Sequence, residues 1–277
     1  MTGIPYEEPP SNKKGLVTRL QEIIDGGWFH TREQDADGKV GNTLEDLIGL
    51  SENNFALPDV GEYELKAKRS KAGSLVTLFH YDPFPRRNYS GCSRKCSPVP
   101  GFLVPKFGWQ HQKKDDENSF RVTLTGEDWH SRGFRINVDY NDRRVYIEYN
   151  KNKITQSRLE TGNLQNWYQG LPSEMPEQIY WEFDDLEKKS GDKLPNMLFV
   201  YADTRGEGSE EEFNYTEAEV WEEFSLNTFI DEIQSGGVKI DFDASTGHNH
   251  GTKFRINKDS GNSLEEFYEN RYALGEE

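Results

Sequence analysis

Two carboxylates and a lysine stand close together in "PDVGEYELKAKRS", residues 58–70: Asp59, Glu64 and Lys66. Tyr63, Leu65 and Ala67 alternate with polar residues, so the stretch reads as a strand that buries one face. Glu64 and Lys66 are two apart and project the same way. Asp59 converges on them if the chain bends or bulges at Gly61. Two carboxylates at one point repel, and each has a raised pKa unless a cation lies between them. A hard divalent ion answers that need, and Mg²⁺ suits because it keeps waters for chemistry. Such an ion lowers the pKa of a water and neutralises charge on a phosphoryl oxygen. A lysine beside it orients the attacking water and stabilises the charged transition state. Asp-x4-Glu-x-Lys is therefore a minimal apparatus for phosphodiester hydrolysis. An ordinary strand with charges on its solvated face has the same appearance, and spacing alone leaves both readings open.

The chain has 277 residues and a net charge of −16, which at first argues against a nucleic-acid partner. The distribution argues otherwise. Residues 61–160 carry 19 Lys and Arg against 12 Asp and Glu, a local +7 that begins at the strand in question. A phosphate-binding surface needs local rather than global positive charge. No apolar run approaches the roughly 20 residues of a membrane span. "MTGIPYEEPPSNKKG" has no apolar stretch of the signal-peptide kind, so a cytoplasmic protein is expected. Cys92 and Cys96 in "GCSRKCS" are expected to be free thiols, because two sulfurs alone make no zinc site and a reducing compartment disfavours a disulfide.

Interleaved helices and strands must position the candidate site. "KKGLVTRLQEIIDGG" carries an apolar stripe through Leu16, Leu20 and Ile23 and is stopped by glycines. A short helix is expected from about Asn42 or Thr43, with Glu45 in its first turn. Strands follow near 61–68 and 74–80. Residues 82–118, rich in Pro, Gly and cations, read as a long surface loop. "SFRVTLT", "FRINVDY" and "RRVYIEY" alternate as strands, the last two paired across "NDRR". "NMLFVYAD" reads as a strand buried on both faces, and "RGEGSEEEFN" as an acidic loop. "LNTFIDEIQSGG" reads as a helix, "VKIDFDA" as a strand and "GNSLEEFYENRYAL" as a terminal helix. The class expected is α/β, a mixed sheet flanked by helices.

"VGNTLEDLIGLSENN", "LPDVGEYELKAKRS", "SLVTLFHYDP", "IYWEFDDLEKK" with "LFVYADT", and "HNHGTKFRIN" occur in that order. This order resembles the MvaI/BcnI family of type II restriction endonucleases and, more distantly, the MutH mismatch-repair nicking enzyme, all of the PD-(D/E)xK nuclease superfamily. The resemblance runs from about residue 15 to the C-terminal segment and is weak over 84–118. It implies one endonuclease unit with two lobes forming a DNA cleft. The catalytic lobe would comprise mainly 14–83 and 178–203, the recognition lobe mainly 119–170 and 225–277.

Residue by residue, Asp59 and Glu64 match the family's metal ligands and Lys66 its catalytic lysine. The Leu65 carbonyl would complete the metal shell, and Glu45 matches a helical carboxylate that acts through water. His250 and Arg255 match the segment that reads base edges, where arginine suits guanine. His80 matches a BcnI-like position near the central base pair. This chain joins that histidine to the MvaI-like "HGT" segment, so the central base stays open. Lys253 and His248 are neighbours of that segment, and Arg86 and Arg87 are expected on phosphates. His30, His111 and His130 are expected to be structural or surface residues. The resemblance implies a Mg²⁺-dependent monomer that nicks one strand of double-stranded DNA at a time at a short CC/GG site. It also implies a prokaryotic cytoplasm and a cognate DNA methyltransferase. A MutH-like repair nickase, a catalytically silent DNA-binding protein, and a polysaccharide- or protein-binding module are the alternatives.

Overall fold

The computed structural model describes residues 8–31, 38–50, 62–70, 75–111, 113–155, 164–256 and 267–276. They divide into two compact units. The first is drawn from residues 1–74, 190–225 and 265–277, the second from 75–189 and 226–264.

In the first unit, α1 (Lys13–Asp25) opens where the Asn12 side chain accepts a hydrogen bond from the Gly15 amide at 2.9 Å. This is a side-chain cap on an otherwise unpaired helix donor. β1 (Trp28–His30) follows, then α2 (Lys39–Ile48). α2 begins about a turn earlier than expected because its buried stripe starts at Val40 and continues through Leu44, Leu47 and Ile48. Gly49, at φ 90°, ends it in the left-handed region that glycine reaches without strain.

β2 (Tyr63–Arg69) pairs in parallel with β9 (Asn196–Arg205), setting Glu64 beside Met197 and Lys66 beside Phe199. β9 pairs antiparallel with β10 (Glu212–Phe224), giving the order β1-β10-β9-β2. Met197 to Val200 are all buried, as the continuous apolar run requires. Leu16, Leu20, Leu44, Leu65, Leu198, Val200 and Tyr215 belong to the hydrophobic core on the helix side of the sheet. The acidic stretch after β9 is a short loop with one helical turn at Gly208–Glu210, joining β9 to β10. Glu211 pairs with Arg69 at 2.9 Å, and Glu212 with His30 at 3.0 Å.

The expected terminal helix is corrected over Tyr268–Ala273. These residues form β13, antiparallel to β10 with Trp221 opposite Arg271. The edge of β10 offers backbone partners, and Arg271 reaches Glu219 at 2.8 Å. Residues 261–266 of that expected helix lie outside the described residues.

The second unit holds an antiparallel sheet ordered β3-β12-β11-β5-β4. Its strands are β3 (Val76–His80), β4 (Trp109–His111), β5 (Lys114–Leu124), β11 (Val238–Ser245) and β12 (His248–Ile256). β3 belongs to this unit. β6 (Arg132–Asp139), β7 (Arg144–Ile154) and β8 (Tyr180–Glu182) form a second antiparallel sheet. The remaining helices are α3 (Val104–Phe107), α4 (Leu164–Gly170), α5 (Phe183–Lys193) and α6 (Leu226–Ser235). Phe120, Phe134, Trp181, Phe242 and Phe254 are fully buried, and their ring contacts join the two sheets.

The long surface loop expected over 82–118 is also corrected. Residues 99–107 form two consecutive helical turns that bury Val99, Phe102, Leu103, Val104 and Phe107. Phe107 packs edge-on against Phe134 and Tyr149. β4 and the start of β5 take up the rest. Cys92 and Cys96 are not free thiols. They form a disulfide with Cα atoms 6.4 Å apart, where a turn from Tyr89 to Cys92 and backbone pairing between Arg87 and Cys96 bring the sulfurs together.

Candidate active site and nucleic-acid interface

β2 sends its alternate side chains to opposite faces of the first unit's sheet. Tyr63, Leu65 and Ala67 meet the core beneath α1 and α2. Glu64, Lys66 and Lys68 take the other face, and Glu64 and Lys68 are only 4% exposed. The ordinary solvated strand is therefore not what forms. The Lys66 ammonium donates to Glu64 Oε1 at 2.5 Å. A carboxylate this deep stays ionised only if cations or donors compensate it.

Glu64 Oε2 is buried and has no hydrogen-bond partner among the described residues. The Lys193 ammonium, from the last turn of α5, lies 3.6 Å away. Nearby, Phe199 stacks on Trp221 at 5.0 Å, and Tyr268 lies against Trp221 at 5.8 Å. The buried Tyr268 hydroxyl also lacks a hydrogen-bond partner. Burial, reinforced by the Glu64 charge, raises its pKa far above the phenol range.

A buried, undonated carboxylate oxygen is the kind of hard ligand a divalent metal takes, so the donor set fits the ion this chemistry calls for. Glu64 Oε2 is such an atom. Asp59, the expected second carboxylate, lies outside the described residues. Among the described residues no group of three or more His, Cys, Asp or Glu is gathered for a metal. Glu45 is half-buried on α2. Its charge helps raise the pKa of buried Tyr215, behind the dominant effect of burial.

The second unit gathers most of the other predicted residues on one sheet. β12 buries Thr252, Phe254 and Ile256 and turns Lys253 and Arg255 outward. Lys253 lies directly opposite His80 on β3. Gly251, at φ 82°, adopts the left-handed region that glycine reaches without strain, next to His80. His248 and His250 are exposed, with ring centroids 6.4 Å apart.

Arg255 is held rather than loose. It donates to Asp241 Oδ2 at 3.1 Å and to the Leu75 carbonyl at 3.0 Å. Its Nε is buried without a partner among the described residues. Asp243 pairs with Arg121 at 2.9 Å and with Lys253 at 3.6 Å. An open groove of about 570 Å³ lies along this face, lined by Arg121, Thr123, His130, Asp241 and Asp243. Arg86 and Arg87 stand apart, on the segment after β3. Arg86 donates to the Asp82 carbonyl and Arg87 to Glu177.

Residues 17–264 match the MvaI/BcnI restriction endonuclease family. The chain belongs to that family. It is accordingly a type II site-specific deoxyribonuclease, as the ELK strand and the HGT segment led one to expect. Among solved structures, restriction endonuclease MvaI in complex with its cognate DNA substrate shares 23% identity at a TM-score of 0.73. The match covers 94% of this chain and 96% of that one. MvaI in the absence of DNA has the same identity and coverage at a TM-score of 0.53. These likenesses establish the α/β restriction-endonuclease fold. Comparison with curated proteins gives no match. No helix among the described residues is long and apolar enough to cross a membrane.

Three polar residues beside the candidate site residues escaped the sequence reading. Lys193 is far from Glu64 in sequence, and nothing local announces it. Asp82 accepts from Asn249 Nδ2 at 2.8 Å and from both the amide and the hydroxyl of Thr252 at 2.9 Å. It pins the start of β12. Asp241 was legible in principle, since "VKIDFDA" alternates and puts Asp241 and Asp243 on one face.

Proposed function

We propose that the endonuclease cuts double-stranded DNA with Mg²⁺ at a short CC/GG-containing pseudo-palindromic site, as a monomer that nicks one strand and then rebinds in reverse to cut the other. The observation that carries this is the buried Glu64–Lys66 pair on β2, whose second carboxylate oxygen has no hydrogen-bond donor among the described residues. Asp59, Glu64 and the Leu65 carbonyl would hold the ion, with Glu45 acting through water. When bound, the ion supplies an activated water and neutralises phosphoryl charge. Lys66, held in place by Glu64, would direct its ammonium at the negative charge that grows on the phosphoryl oxygens. Water attacks in line, the P–O3′ bond breaks, and the products are a 3′-hydroxyl and a 5′-phosphate.

Arg255 and His250 would read base edges, with His80, Lys253 and His248 beside them and Arg86 and Arg87 on phosphates. The first unit would serve as the catalytic lobe and the second as the recognition lobe. A prokaryotic cytoplasm and a cognate methyltransferase go with this reading.

The test is digestion of phage DNA with Mg²⁺, against an EDTA control, followed by sequencing of the fragment ends. Discrete ends at one CC/GG motif are expected. Nicks without double-strand breaks would make it a repair nickase of the MutH kind. Intact DNA at every salt concentration would remove the hydrolytic reading.

A further inference from the structure

Among the described residues, Glu64 meets the ammonium groups of both Lys66 and Lys193. Lys66 donates to Oε1, and the Lys193 ammonium lies 3.6 Å from Oε2. The lysine side chains are 20% and 19% exposed and that of Glu64 only 6%, so water screens little of this cluster. The two contacts differ in kind. At 2.5 Å Lys66 makes a hydrogen bond. At 3.6 Å Lys193 is an ion pair too long to be one. Lys193 therefore neutralises Oε2 without using up its lone pair.

That is the arrangement of a removable counter-ion. A divalent ion taking Oε2 as ligand, at about 2.1 Å, would meet the Lys193 ammonium at close range and be repelled by it. Resting on the reading of Glu64 as a metal ligand, we propose that Lys193 competes with the metal for Glu64. In the DNA-free enzyme it occupies the carboxylate and keeps metal affinity low. A DNA phosphate, itself an anion, gives the ammonium an alternative partner and so favours metal binding. By linkage the metal in turn favours DNA. Lys193 is thus a positioning residue that ties completion of the site to the presence of substrate.

The experiment measures Mn²⁺ binding directly, from the free-ion signal in electron paramagnetic resonance, on the full chain without DNA. Wild type, Lys193→Met, Lys193→Arg and Glu64→Gln are compared after thermal melts show that each is folded. Lys193→Met should bind Mn²⁺ about fivefold more tightly, the order expected of a partly screened ion pair. Lys193→Arg keeps the charge and should behave as wild type. Affinity in Lys193→Met that is equal to or weaker than wild type overturns the proposal, since Lys193 would then support the carboxylate instead of competing for it. So does equal tightening in Lys193→Arg, which would assign the effect to packing. Glu64→Gln tests the underlying reading separately. If it leaves Mn²⁺ binding unchanged, Glu64 is not a ligand and both ideas fall. If it weakens binding while Lys193→Met changes nothing, only the counter-ion role is lost.

Discussion

β2 and β12 are built on the same two-residue alternation and treat their polar rows in opposite ways. On β2 the row is buried: Glu64 and Lys68 are each 4% exposed, and Lys66 meets Glu64 on its own strand. On β12 the row is open: His248 and His250 are exposed, while Lys253 and Arg255 reach across to carboxylates on β11. Burial strengthens charge interactions and removes competing water, which suits a group that must act on one bond. The exposed histidines are open to a base edge, whereas Lys253 and Arg255 would exchange a protein carboxylate for one. The same sequence pattern serves either purpose, and only the packing of the second face distinguishes them.

The largest expected effect lies on the buried row. Lys66→Ala should lower the cleavage rate by about a hundredfold or more, as loss of a transition-state donor does. Specific DNA affinity should stay near wild type. Single-turnover cleavage and a gel-shift titration together check this. Loss of specific binding with cleavage retained would move Lys66 from catalysis to recognition and erase the contrast between the strands.

On the open row, Arg255→Ala should cost about 1–3 kcal/mol of discrimination at one base pair and leave the others alone. Cleavage competition over single-substitution variants of the site measures it. A uniform loss at every position would place Arg255 on a phosphate.

How much of this was legible follows from where the determining contacts lie in the chain. The ELK strand, the 134–149 hairpin, α1 and α6 were read from local period, because each buries the face its own sequence marks. The terminal segment was misread because "LEEFYENRYAL" has a helical look. Its backbone partners are on β10, which no local pattern reveals. The 82–118 segment was misread because its prolines and glycines masked Val99, Phe102, Leu103, Val104 and Phe107, which are buried. The thiols were judged by compartment when the local turn decided their bonding. At the candidate site, Glu64 and Lys66 share a strand, so their proximity was visible. Lys193 reaches them through the fold and was not.

A smaller effect is expected where the open row is held in place. Asp82→Ala removes the acceptor of three hydrogen bonds at the start of β12. It should lower stability by about 1–3 kcal/mol, because partners are left unpaired. Discrimination should fall by more than non-specific affinity does. Melting temperature and the ratio of specific to non-specific affinity separate the two. If stability falls and the ratio holds, Asp82 supports the sheet and not the reading segment.

The smallest effect should come from Arg87. Its side chain is 58% exposed and pairs with Glu177 at 2.6 Å. It also lies over the Tyr89 ring at 4.8 Å. Only the arginine end is exposed, and Glu177 keeps the hydrogen bond from the Tyr89 hydroxyl when Arg87 leaves it, so exchanging Glu177 for a phosphate costs about 1 kcal/mol. If Arg87 makes that exchange, Arg87→Ala weakens binding to all sequences alike. The slope of log affinity against log salt should then fall in magnitude by about 0.9, the value for one phosphate contact. Discrimination between sites should not change, because phosphates carry no base identity. An unchanged slope would mean that Arg87 keeps Glu177 in the complex. The ion pair would then be a fastening for the segment after β3, and the positive surplus of residues 61–160 would have to meet DNA through other side chains.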